Sequence, residues 1–139
     1  MTDSDAGAAY TVAHIQELPF EIDDDYPTTE WKPIRRCFGI GSFGCNAAIA
    51  REAGDVLTHD HDETGVGHEE LFLIVSGRAT YRVAGEEIDA PAGTFLYVRD
   101  PAVVRGVVAR EPGTTMFVIG AKAGSVFAPS EWDTEPLPD

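Results

Sequence analysis

Gly54-Asp55-Val56-Leu57-Thr58-His59-Asp60-His61-Asp62-Glu63-Thr64-Gly65-Val66-Gly67-His68-Glu69-Glu70-Leu71-Phe72-Leu73-Ile74-Val75-Ser76-Gly77 is the stretch on which the reading of this chain turns. Three of the four histidines of the chain fall inside it, together with a dense set of carboxylates, and it ends in an unbroken apolar run. Side chains alternate along an extended backbone with period two. His59, His61 and Glu63 therefore share one face, and His68, Glu70, Phe72 and Ile74 share one face of the strand that follows. If both faces look inward, imidazoles and carboxylates converge in an otherwise apolar interior. The plainer reading is a solvated acidic loop, since Asp60 and Asp62 interleave the histidines.

Outward from this stretch, glycine and proline punctuate the chain at short intervals, and the pieces between are rich in Val, Ile, Phe, Tyr and Thr. That rhythm is all-β. Expected strands are Tyr10–Gln16, Ile34–Phe38, Cys45–Arg51, Val56–His59, Glu70–Val75, Ala79–Val83, Glu86–Asp89, Thr94–Val98, Gly106–Ala109 and Thr115–Ile119. Ala84-Gly85 reads as a tight hairpin turn, because glycine accepts the positive φ such turns need. No window sustains a 3.6-residue apolar period; Ser130-Glu131-Trp132-Asp133 after Pro129 is expected to make one turn with Trp132 against the barrel. Short strands in a single domain must hide their edges, which favours a sandwich or small barrel able to enclose one ligand.

The 139 residues suffice for one core without a structural metal or disulfide. Lys and Arg total 10 against 24 Asp and Glu, a net charge of −14. Residues 1–31 carry eight acids and no base, 32–122 twelve against ten, and 123–139 four and no base. The acidic excess thus lies in the flanks, and we expect residues 1–9 as a loose tail, 10–128 as the barrel and 129–139 as an acidic, proline-containing tail. Such a field argues against nucleic acid and anionic membranes as partners and leaves small molecules. No apolar run approaches the ~18 residues of a membrane span, and the first twenty residues show no secretory pattern, so a cytoplasmic protein is expected. Cys37 and Cys45 fit no thiolate metal motif and read as reduced thiols, with a hairpin disulfide as the alternative. His14 reads as structural.

Two histidines and a carboxylate with open positions suit Fe, Mn, Zn, Ni or Cu. Here the residues resemble a known family: Gly54…His59-x-His61…Glu70-x6-Gly77 is similar to the first motif of the cupin superfamily, and Gly85 to Gly93 is similar to the connection into its second motif. The resemblance spans residues 45–120. It implies a cupin-like β-barrel, a double-stranded β-helix or jelly roll, with a divalent metal on His59, His61 and Glu70, and a homodimer that packs or exchanges edge strands, residues 10–16 being the candidate exchanged strand. The chain departs from the pattern in three places, the first a trivial one: four residues lie between Gly54 and His59 where five are usual. Eight residues separate His61 from Glu70, an extra loop that lets Glu63 or His68 compete as ligands. The usual second-motif histidine falls at Val104, followed by Arg105. Either a three-ligand site survives, or Arg105 turns inward, pairs with Glu70 and replaces the metal with a guanidinium, an arrangement that suits an anionic ligand. Tyr97 and Phe72 are candidate lining residues, and Trp31 and Trp132 candidates to cover the barrel ends or a subunit contact. The functions that follow are metal-dependent binding of a small organic molecule, with oxygenase, isomerase or lyase chemistry open, and as alternative a metal-free binding or sensor domain.

Overall fold

Alternating side chains do build two antiparallel sheets. The structure, a computed structural model, describes residues 8–124 and 126–138. Its strands are β1 (Glu21–Asp23), β2 (Tyr26–Lys32), β3 (Gly44–Ala50), β4 (Val56–His61), β5 (Glu69–Ser76), β6 (Arg78–Val83), β7 (Glu86–Pro91), β8 (Phe95–Val98), β9 (Arg105–Ala109) and β10 (Thr115–Ala121). One sheet has the order β1-β2-β3-β10-β5-β8 and the other β4-β9-β6-β7, a jelly roll. Eight of the expected strands form, each within two residues of its expected ends.

The core lies where the two inner faces meet. Leu57, Phe72, Ile74, Tyr81, Val107 and Met116 are each at most 1% exposed. Burying one such side chain contributes roughly 1.5–3 kcal/mol, so these six alone supply a large part of the driving force. Tyr81 satisfies its hydroxyl by donating to the Thr94 carbonyl at 2.6 Å. The β6–β7 hairpin turns through Ala84 (φ 51°) and Gly85 (φ 79°), the positive-φ pair expected of a two-residue loop.

Two expected strands are corrected. Ile34–Phe38 is a helical turn, α1, entered from Pro33 and closed by Gly39 in the left-handed region (φ 68°). Proline cannot continue a central ladder and glycine accepts the αL cap, and these local signals outweigh the β-branched Ile34. Tyr10–Gln16 is not a strand either: its end enters a 3-10 turn at Ile15–Glu17, with His14 Nδ1 accepting the Gln16 N–H at 3.1 Å. The exchange of residues 10–16 between subunits therefore loses its strand. Of the expected N-terminal tail, residues 1–7 lie outside the described residues. At the other end, Trp132–Thr134 forms the expected single turn. Cys37 and Cys45 are buried free thiols.

Gly77, which closes the decisive stretch, has φ 79° and packs so closely on Thr114 that an added Cβ would strike its side chain and Cα. The Thr114 hydroxyl accepts the Arg78 N–H and donates to the Glu111 carbonyl, so Thr114 is not free to retreat. A Gly77→Ala variant is expected to lose about 2 kcal/mol in urea unfolding, from strain and collision together. An unchanged midpoint would contradict this close packing.

Candidate functional site

The first polar residue along β5 that faces inward is Glu70, followed two positions on by Phe72 and then Ile74. Across the six-stranded sheet Glu70 stands in register with Gly120, and Gly120 with Gly44. Two rungs of this row lack side chains, which leaves room beside the carboxylate. From the opposite sheet β4 ends at His61, paired in register with Arg105 of β9. The loop after β4 turns back when the Val66 and Gly67 N–H groups donate to the Glu63 carbonyl, and the Glu63 N–H donates to Pro101.

These elements bring His61, Glu63 and Glu70 together, with one ligand atom from each lying within 4.8 Å of the others. His61 Nδ1 is 2.8 Å from the His59 carbonyl. A carbonyl only accepts, so Nδ1 carries the hydrogen and Nε2 is turned inward. There it lies 3.4 Å from Glu63 and 4.0 Å from Glu70. Neutral His61 would thus aim a lone pair at two carboxylates. Only a cation or protons resolve such a meeting of acceptors.

The titration behaviour says the same. Burial, and then the charge of Glu63, push Glu70 up to about 7 against the opposing pull of His61 and Arg105. The hydrogen bond to Glu63 is the main cause that raises His61, against burial. Burial taken alone would raise Glu63, but hydrogen bonding to His61 and Glu70 holds it low. His61 and Glu70 thus both hold their protons to higher pH than their ordinary values, beside a Glu63 that is held low.

Arg105 is 0% exposed and is the largest fully buried side chain. Its Nη1 donates to Glu70 Oε1 at 2.9 Å, its Nε to the Val103 carbonyl at 2.9 Å and its Nη2 to the Asp100 carbonyl at 3.2 Å. Val104 is 49% exposed, so the inward position beside the missing second-motif histidine belongs to the guanidinium.

The close cluster holds His61 and Glu70 of the expected trio, with Glu63, one of the two alternatives, as its third member. His59 lies outside the close cluster: its ring is 5.1 Å from that of His61 and stacks on Tyr26 at 6.3 Å. Both imidazoles border the main cavity, as their alternation requires, and the pairing of β4 shifts register between Thr58 and His61. His68 is buried against Phe127, with ring centroids 5.6 Å apart, and lines a small chamber behind Glu63 and Glu70. Phe72 lines the main cavity. Tyr97 does not; it is 44% exposed on the outer face of β8, and its hydroxyl donates to Glu69 at 2.6 Å.

The main cavity measures about 510 Å³, and the small chamber about 150 Å³. Both are bordered by Asn46, Glu63, Glu70, Val118, Ser130 and Trp132. Apolar walls come from Phe72, Met116 and Trp31. Sequence reasoning passed over Asn46 entirely and gave Trp31 only a covering role. Yet Asn46 Oδ1 and Trp31 Nε1 are buried without a hydrogen-bond partner, and both residues line the main cavity. Unpaired buried polar atoms are uncommon and call for a water or ligand. The roof is the C-terminal turn. Arg35 reaches the Asp133 carbonyl, Arg36 lies 4.3 Å over the Trp132 ring, and Trp132 Nε1 donates to Glu21 at 3.1 Å.

Comparison with known proteins agrees with this architecture. The family model described as "AraC-like ligand binding domain" matches residues 46–134. No curated protein sequence matches the chain significantly. Among solved structures, a "predicted oxalate decarboxylase" from Thermotoga maritima superposes with a TM-score of 0.64 at 11% identity, over 85% of this chain and 100% of the other. A sugar phosphate isomerase of the cupin superfamily from Silicibacter pomeroyi DSS-3 has a TM-score of 0.64 at 16% identity, over 92% and 97%. A cupin protein from Bacteroides fragilis has 0.59 at 18%, over 94% and 98%. At these identities the likeness is one of fold.

Proposed function

The chain belongs to the AraC-like ligand-binding domain family of the cupin superfamily, and from that premise we propose that it binds a small polar organic molecule in the 510 Å³ cavity, beside a divalent cation held by His61, Glu63 and Glu70. The observation that carries the cation is the confrontation of His61 Nε2 with two carboxylates, its tautomer fixed by the His59 carbonyl. A second partner that locks the far ring nitrogen is the usual support of a metal-binding imidazole. One nitrogen and carboxylate oxygens suit the borderline and hard ions Fe, Mn, Zn, Ni or Cu. Bound there, such an ion acts as a Lewis acid toward an oxygen of the ligand. The chain's own groups do the rest: Arg105 fixes Glu70, Trp31 offers an N–H, Asn46 an amide, and Phe72 and Met116 exclude water. Two reduced, buried thiols agree with a cytoplasmic setting.

A second reading is favoured by the Arg105–Glu70 pair at 2.9 Å, which already gives Glu70 one cationic partner. In it the cavity works without metal, with the paired charges as polar anchors for the ligand.

Calorimetric titration of tag-free, chelator-treated protein with Zn and Mn separates the two. About one ion per chain should bind, and His61→Ala should weaken binding at least ~100-fold, equivalent to about 2.7 kcal/mol. Equal uptake by the variant, or none by the native chain, would overturn the cation and leave the second reading.

A further inference from the structure

We propose that the C-terminal turn is a movable roof, which lifts from the barrel as a unit while both sheets stay folded. The proposal holds whether or not the cavity carries a cation.

The segment from Val126 to Leu137 joins neither sheet. Among the described residues its backbone N–H groups donate only within its own turn, from Asp133 to Ser130, from Thr134 to Glu131 and from Glu135 to Trp132. Its hydrogen bonds to the barrel pass through three side chains. Arg35 donates to the Asp133 carbonyl, Arg36 to the carbonyls of Glu135 and Pro136 at 3.2 Å each, and Glu21 accepts from Trp132. Apolar anchoring is slight. Phe127 packs on His68, but Val126 is 92% exposed and Leu137 38%, and the residue that the turn buries is an acid, Asp133. Segments with few buried apolar contacts open at the low end of a protein's range of local stabilities.

The latch is also incompletely made. Trp31 Nε1, Arg35 Nε, Arg36 Nε, Asn46 Oδ1 and Asp133 Oδ1 are the buried side-chain atoms without a hydrogen-bond partner among the described residues, and all lie in the latch or in the cavity walls beneath it. Arg35 Nε and Asp133 Oδ1 stand 3.3 Å apart without the geometry of a bond. Unmade bonds of this kind raise the free energy of the closed form, and water reaches them when the roof lifts. Ser130 and Trp132 border the main cavity and the small chamber alike, so one movement opens both. A ligand that donates to Asn46 and accepts from Trp31 removes the gain from opening and shifts the population toward the closed roof.

Cys45 reports the movement. It is 2% exposed, borders the small chamber and feels the charges of Asp133 and Arg35 in the latch. Burial pushes its thiol up to about 11, so it is inert under the closed roof and returns toward ~8.5 once water reaches it. Cys37, buried on α1 and bordering neither compartment, is the control.

Pulsed iodoacetamide labelling of the native chain at pH 8, read by peptide mass, should modify Cys45 at least ~10-fold faster than Cys37. Trp132→Ala removes the bond to Glu21 and the ring beneath Arg36; it should speed Cys45 a further ~10-fold and leave Cys37 unchanged. If that variant does not fold, Trp132→Phe keeps a ring, loses the bond to Glu21 and should move Cys45 in the same direction. Equal rates for the two thiols, both climbing with urea as global unfolding does, would overturn the roof, and so would a folded Trp132 variant whose Cys45 reacts no faster than in the native chain.

Discussion

Arg105→Ala should cost the fold about 3–5 kcal/mol at pH 8, and distinctly less at pH 5.5. The guanidinium is wholly buried and its truncation leaves a large void. It also strips donors from Glu70 and from the Val103 and Asp100 carbonyls. The pH dependence comes from Glu70. Burial, followed by the charge of Glu63, already places it at about 7, and Arg105 is one of the groups that pull it down. Without Arg105 it titrates higher still. Between the unfolded carboxyl range, near 4.3, and about 7 the native chain and the variant lose stability alike, so the variant's extra loss develops only as pH climbs through the native Glu70 value of about 7 and is absent below it. Denaturant unfolding at the two pH values measures both quantities. A deficit that is equal at both, or larger in acid, would show that Glu70 and Arg105 are not coupled in this way.

The second large effect is stabilisation by a cation, which should grow with pH. In the metal-free protein, Glu70 and His61 both have raised values, so their contributions are complete in acid and are lost as pH rises through them. Glu63 is held low, and its contribution is lost only on stronger acidification. The metal-free fold is therefore expected to be most stable in mild acid. A divalent ion displaces the protons, so its uptake is weak there and strong at pH 8. At a thousandfold excess over Kd it adds about 4.1 kcal/mol, equivalent to a rise of roughly 10 °C in Tm for a domain of this size. Thermal scans with and without Zn or Mn at pH 5.5 and 8 read this directly. A Tm that ignores the ion at pH 8, or shifts more in acid, sinks the proton-for-metal exchange.

Much of this architecture is legible in the order of residues. Glu70, Phe72 and Ile74 alternate as read, and the hairpin at Ala84-Gly85 closes as its glycine requires. The errors have definite causes. The expected strands leave residues 17–33 blank, yet β1 and β2 form there, with the three-residue β1 as the edge strand carrying Asp23. Ile34–Phe38 has strand-like composition, and its Pro33 and Gly39 brackets tell otherwise. In the site, the alternation that groups His59 with His61 does bring both to the main cavity, but the close cluster forms around His61 alone of the two. Whether Glu63 or His68 would fill the gap depended on a loop whose turn is set by backbone bonds to Glu63, invisible in composition. Arg105 was the better-marked residue, because the position before it lacked the histidine that the resemblance implies.

The side-chain-free row beside Glu70 also separates two properties that most binding sites tie together. At Gly120 a Cβ would press to 2.8 Å from the Glu69 carbonyl, so that rung is fixed by the backbone. At Gly44 it would meet the Phe127 ring at 3.5 Å and the Gly120 carbonyl oxygen at 3.6 Å, both ordinary contacts. Capacity of the rear compartment can thus be trimmed one methyl at a time from position 44, without touching the groups that grip charge. Relatives sharing this scaffold have a route to drift in what they admit while their electrostatic centre stays put.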